Sequence, residues 1–283
     1  HFTIMPVDMD PNGIVPKVRH IVRSREDYVR LQVKTLSPEL SSLEASKIEN
    51  ILEAATTLHL LYKIVRHLFL TAKKQNNFPL ILPLQMMMPF IMEEAEALKT
   101  AVDAFKHGQP IGDGIGPMVV GKMMLSTAKK TASFETVWSE SEYEGRRLYL
   151  MKAEGPAATV GRPGDALERI FSESKPDIIV MVDAALKLEG EESGSIAQGF
   201  GAAIGGIGTD RFQIEEVATK YKIPIYAIVI KQSIKEAVTL MKKEIADSEE
   251  KVAAQVHDLI KENTKVGQSA LVIGVGNTLG VSQ

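Results

Sequence analysis

Two aspartates in this chain stand where a carboxylate needs either a partner or a task. Asp113 lies in "QPIGDGIGPMVVGKMM", Gln109 to Met124, just before an apolar run of helical character. Asp183 sits in "DIIVMVDAA", Asp177 to Ala185, at the end of a run of strand-forming residues. A lone carboxylate in such a run is expensive to bury unpaired. Brought together, two carboxylates can share a proton and activate a water for attack on a carbonyl. They can also ligate a hard or borderline divalent metal, with other groups completing the shell. The plainer alternative is that Asp113 caps the helix beginning near Ile115 and Asp183 caps a loop. Taken singly, each residue slightly favours capping. One at a helix start and one at a strand end together favour a site.

A second glycine-rich stretch, "GFGAAIGGIGTDR", runs from Gly199 to Arg211. Backbone N–H groups of such loops can cradle phosphate. No Gly-Lys-Ser/Thr follows, so it is not a Walker loop, and no clear strand-helix-strand frame makes it a dinucleotide fingerprint. The favoured reading is a tight substrate-facing loop contributing Gly205, Gly206, Gly208 and Asp210, with phosphate or nucleoside binding as the minority reading. Histidine is scarce. His20, His59, His67 and His107 precede the second half of the chain, and His257 lies in a helical run. None follows a strand candidate, which argues against both a histidine-rich zinc site and a Ser-His-Asp triad.

The elements that must position these residues divide near Gln109. Residues 1–108 read as an α-helical region. Pro11-Asn12-Gly13 marks a turn, and residues 18–34 form a charged helix with Arg19, Arg23, Arg25, Arg30 and Lys34 on what reads as a solvated face. A stretch lying near a membrane or an acidic partner is the sharper alternative. A long helix follows over about 37–74, with Leu43, Ile48, Ile51, Leu52, Ala55 and Leu58 as its apolar stripe, and another over about 84–106. The most apolar stretch, "FPLILPLQMMMPFIM", is too short to span a membrane and carries three prolines; it reads as buried loop and helix start.

Residues 109–283 alternate between apolar strands and helices. Strands are expected at 134–138, 147–153, 177–185, 223–230 and 270–275, and helices near 117–128, 164–174, 211–221 and 233–262. Continuous apolar strands separated by helices predict a three-layer α/β domain with a mostly parallel sheet covered on both faces. Ligands in such folds bind at the carboxyl ends of strands. Net charge is −3, so nothing suggests a nucleic-acid binder. The absence of cysteine excludes disulfides, thiolate metal sites and cysteine nucleophiles, and fits a reducing compartment.

Several motifs resemble known families. "GDGIGPMVVGKMM" resembles the aspartate-bearing helix start of spore germination proteases and hydrogenase maturation peptidases. "KPDIIVMVDAA" is similar to their strand ending on a second functional aspartate. "KIPIYAIVIKQSIKEAVTL" and "GPAATVGRPGDALERIFSESKPD" resemble further elements of the germination protease. "ALVIGVGNTLG" resembles their strand ending in Gly-Asn, which in those families immediately precedes the aspartate loop and here comes last. The resemblance implies a phosphorylase/hydrolase-like fold, circularly permuted, with Gly276-Asn277 beside Gly112-Asp113. Carried over, Asp113 and Asp183 match the paired aspartates, while the histidine of the metal-binding maturation peptidases has no match here. The whole chain also resembles an archaeal family of uncharacterised proteins.

The expectation is a peptidase-like hydrolase. Asp113 and Asp183 activate water, or hold a divalent metal if any is used. Gly112, Gly114, Gly276, Asn277 and the 199–210 loop shape a cleft for a peptide or small molecule. The alternatives are a non-catalytic scaffold, self-associating through the N-terminal helices, and the phosphate binder. A cytoplasmic location is expected, with membrane attachment only through a segment upstream of these residues.

Overall fold

The computed structural model describes residues 13–206 and 208–282, so Pro11 and Asn12 of the expected turn lie outside the described residues. The helical region consists of α1 (Ile14–Leu36), α2 (Ser42–Lys74) and α3 (Ile81–His107). Local chemistry starts α2: the Ser41 hydroxyl accepts the Glu44 N–H, and the Glu44 carboxylate accepts the Ser41 N–H. α2 and α3 form an antiparallel hairpin. Its base packs on the rest of the chain through Ala54, Ala101, Ala104 and Phe105, which cluster with Ile111 and Leu279.

The expected solvated face of α1 is largely occupied. Arg23 pairs with Asp165 at 2.9 Å, Arg25 with Glu53 at 2.6 Å and Arg30 with Glu135 at 3.3 Å. These ion pairs hold α1 against α2 and the α/β half.

The α/β half runs α4 (Ile115–Met123), β1 (Lys129–Ser133), β2 (Thr136–Tyr143), β3 (Arg146–Ala153), α5 (Pro163–Glu173), β4 (Ile178–Leu186), β5 (Ile196–Phe200), α6 (Thr209–Tyr221), β6 (Ile225–Gln232), α7 (Ile234–Val238), α8 (Lys243–Ala246), α9 (Glu249–Asn263) and β7 (Ser269–Gly274). One sheet has the order β1-β2-β3-β7-β4-β6-β5. The central strands β3, β7, β4 and β6 are parallel, and β1, β2 and β5 add antiparallel edges. The sheet is therefore mixed, with a parallel centre. Alternate residues of β4 divide between two cores: Ile178, Val180 and Val182 face α4 and α9, while Ile179 and Met181 face α5 and α6.

Three expectations need correction. Strands β1 and β5 were not anticipated, because edge strands with one partner need no apolar run, and "KKTAS" and "IAQGF" are half-exposed. The helix expected over 233–262 is three helices, broken at Thr239–Lys242 and Asp247–Ser248. The stretch Phe78 to Met92 is not buried: Phe78, Leu82, Met86, Met87, Phe90 and Met92 are all exposed. Two paired helices share only one seam, and among the described residues nothing covers their outer faces.

Candidate functional site

The last strand, β7, lies between β3 and β4 at the centre of the sheet. Its C-terminal end delivers Val275, Gly276 and Asn277 to the start of α4. Gly116 in the first turn of α4 sits so close that a Cβ there would collide with the carbonyls of Val275 and Val182. A glycine is therefore required for α4 to begin directly over the ends of β4 and β7.

This packing fixes Asp113. It lies in a 3-10 turn, Gly112–Gly114, immediately before α4. Its Oδ2 accepts the backbone N–H of Asn277 at 2.7 Å. Gly276 has φ +133, and a Cβ on it would collide with the Asp113 carbonyl oxygen. A Cβ on Gly114 would lie 2.8 Å from the Asn277 carbonyl oxygen. The four residues Gly112, Asp113, Gly276 and Asn277 thus meet in space.

Asp183 completes the pair. It occupies β4 opposite Val229 of β6, is only 6% exposed, and its Oδ1 accepts the N–H of Ala184 at 2.7 Å. Burial raises the Asp183 carboxyl well above the usual range, and the neighbouring charge on Asp113 raises it further. Asp113 is also pushed up by burial, against which the Asn277 N–H works. The two carboxyl groups are close enough to feel one another, and their environments differ. Asp183 is the one that holds a proton more readily.

Gln232 is the last residue of β6. It is buried, and neither atom of its amide has a hydrogen-bond partner among the described residues. A Cβ on Gly112 would collide with its Oε1, so the free amide borders the Asp113 turn. Beyond it, Glu236 of α7 is buried. Burial alone would raise its carboxyl. Hydrogen bonds from Lys242 at 2.7 Å, the Ser233 N–H at 2.7 Å and the Ser193 hydroxyl outweigh this and hold it at about 2.

Asn277 also faces outward. Its side-chain Nδ2 donates to Asn50 Oδ1 at 3.4 Å, and it lines a cavity of about 410 Å³ between the helical region and the α/β half. Arg25, Glu26 and Arg30 of α1, with Glu135 and Arg162, give that cavity both signs of charge. Arg30 and Arg162 lie over Phe134 at 4.7 and 4.5 Å from its ring centre.

The neighbours of Asp210 in the Gly-rich loop are other residues than the aspartate pair. Asp210 lies at the start of α6 beside Gly164 and Gln213. Burial raises its carboxyl, which the charge on Arg23 opposes and that on Asp165 reinforces. A Cβ on Gly205, Gly206 or Gly208 would meet nothing within 4 Å, so no close backbone approach demands these glycines. Gly206 and Gly208 serve conformation instead, at φ +85 and +89. Residue 207 lies outside the described residues.

A divalent cation fits this site poorly. Among the described residues no group of three or more His, Asp or Glu side chains comes together as a metal site. Each of the two aspartates already accepts a backbone N–H, so the pair alone offers an incomplete shell.

Residues 1–108 match the family model described as "Protein of unknown function (DUF1512) N-terminal domain", and residues 111–282 match "Domain of unknown function (DUF1512) C-terminal". No curated protein matches the chain.

Proposed function

The chain belongs to the DUF1512 family of proteins of unknown function, and on that premise we propose from its own residues that it is an aspartate-dependent hydrolase of peptide-like bonds. One observation carries this reading: the loop before α4 and the end of β4 bring two carboxyls from distant parts of the chain close enough that the charge on Asp113 raises Asp183. In this mechanism Asp113, stabilised as an anion by the Asn277 N–H, takes a proton from a water held between the pair. The water oxygen bonds to the substrate carbonyl carbon while Asp183 gives its proton to the carbonyl oxygen. The carbon–nitrogen bond then breaks as the proton on Asp113 passes to the leaving nitrogen, and Asp183 recovers its proton from the collapsing diol. The unpaired amide of Gln232 borders the Asp113 turn. The Gly-Asn end of β7 beside Asp113 supports the resemblance to a circularly permuted germination protease or maturation peptidase.

The test is a cleavage screen over a mixed peptide library with wild type, Asp113→Asn and Asp183→Asn. Cleavage by wild type that both variants lose is the expected result. Finding no cleavage that either substitution removes would reject this function.

A second reading, a non-catalytic scaffold that retains the fold, draws support from two observations: the low exposure of Asp183 and the open apolar faces of α2 and α3. A wild type and Asp183→Asn pair that are indistinguishable in every cleavage assay favours it.

A further inference from the structure

The outer half of the α2–α3 hairpin has a composition unlike the rest of the chain. Between Glu53 and Glu93 there is no Asp or Glu, whereas Lys63, Arg66, Lys73 and Lys74 all fall there. The hairpin's inner seam is made by residues at heptad-like spacing: Leu61, Val65, Leu68 and Ala72 from α2, and Ile81, Leu84, Met88 and Ile91 from α3. Of the residues from 58 to 92, only Ala72 and Leu84 are buried.

The outward faces also carry large apolar side chains between the cations. Phe78, Leu82, Met86 and Phe90 recur every four residues and form one stripe along the start of α3. Phe78 is 74% exposed and Phe90 73%. Leu60, Tyr62, Ile64, Phe69 and Leu70 are exposed on α2. A contiguous patch of this kind on a projecting element marks an interaction site.

We infer that this hairpin tip docks on a lipid surface carrying anionic headgroups. Charge decides between this occupant and a second copy of the chain. Two copies meeting tip to tip would bring cation against cation with no acid in either tip to offset them. An anionic surface offers the complementary charge, while the acyl boundary receives Phe78, Leu82, Met86 and Phe90. Among the described residues no helix is long and apolar enough to cross a membrane, so the tip enters the interface without spanning it. Pro79, Pro83 and Pro89 lie in the same segment, where the 3-10 turn Phe78–Leu80 joins the two helices.

Flotation of the full chain with phosphatidylcholine vesicles and with equimolar phosphatidylcholine–phosphatidylglycerol vesicles tests this, alongside light scattering of the protein in solution. Wild type should bind the anionic vesicles at least ~10-fold more tightly than the neutral ones, and added salt should weaken it. The double variant Phe78→Ser, Phe90→Ser should lose binding by ~10-fold or more with unchanged thermal unfolding, because both side chains are exposed. Lys73→Glu with Lys74→Glu should lose the preference for anionic lipid. Equal binding to both vesicle types, or none to either, overturns the proposal. So does a wild-type dimer that the double serine variant dissociates while vesicle binding is absent. That last outcome assigns the face to a second copy.

Discussion

Asp113 and Asn277 are 164 residues apart in the chain, yet the N–H of Asn277 donates to the Asp113 carboxylate at 2.7 Å. Neither residue reaches the other through its own local element. The 3-10 turn before α4 presents the carboxylate, and the central strand β7 presents the amide. The bond favours the ionised form of Asp113, against its burial. Asp183 accepts an N–H as well, from Ala184, and what sets it apart is the Asp113 charge that raises it further.

Gly276→Ala should break this arrangement. The new methyl would collide with the Asp113 carbonyl oxygen, and φ +133 is a region that alanine rarely adopts. We expect a loss of about 3 kcal/mol or more in urea unfolding. Gly199→Ala is the control. It meets nothing within 4 Å and should change stability by less than about 0.5 kcal/mol.

Asp183→Asn should raise the melting temperature at neutral pH even if it abolishes activity. Burial and the charge on Asp113 raise the folded-state carboxyl above its unfolded value. The folded form then holds the proton more tightly, and that stability is present at low pH and lost as pH rises through the raised value. The gain from asparagine should accordingly shrink as pH falls into the ordinary carboxylate range. Melting curves of both proteins across acid and neutral pH decide it. A variant less stable than wild type at neutral pH contradicts the assignment.

Lys152→Met should stabilise the protein. Lys152 is 1% exposed on β3, and its Nζ donates to the Ala153 carbonyl at 3.0 Å. Burial, with a smaller push from Lys129, lowers its ammonium from 10.5 to about 8, which Glu154 partly opposes. A depressed folded value means stability is fullest above the unfolded value and falls as pH drops from 10.5 towards 8. Below that window the buried charge costs about 1–3 kcal/mol. Denaturant unfolding should show methionine ahead by that amount at neutral pH, and the difference should vanish at strongly alkaline pH.

Much of this architecture is readable in residue order. The strands near 147–153, 178–186, 225–232 and 270–274 are continuous apolar runs because both faces are covered, and helix periodicity marks α2 and α3. That Gly112-Asp113 and Gly276-Asn277 form two halves of one place is what the resemblance to the permuted peptidase families implies, and the Asn277–Asp113 bond agrees with it. Edge strands β1 and β5 are not readable in residue order, because a half-exposed strand needs no apolar pattern. Gln232 escapes for another reason: an amide carries no charge to betray it, and its lack of partners is visible only once its surroundings are built.

The same limit applies to the Phe78–Met92 stretch. Its apolarity predicts burial, since most apolar runs are buried, and only the placement of the hairpin beyond the domain reveals that its outer faces are open. By itself, then, the sequence determined which residues are strand and helix at the centre, and which carboxylates are expensive to bury. Those properties depend on side-chain chemistry within a few neighbours. Tertiary structure alone decided that a bond runs from the Asn277 N–H to the Asp113 carboxylate, that Gln232 is left without a partner beside the Asp113 turn, and that the outer faces of the hairpin stay open. Each of these depends on which distant segments share space, and β7 closing the centre of the sheet settles the first.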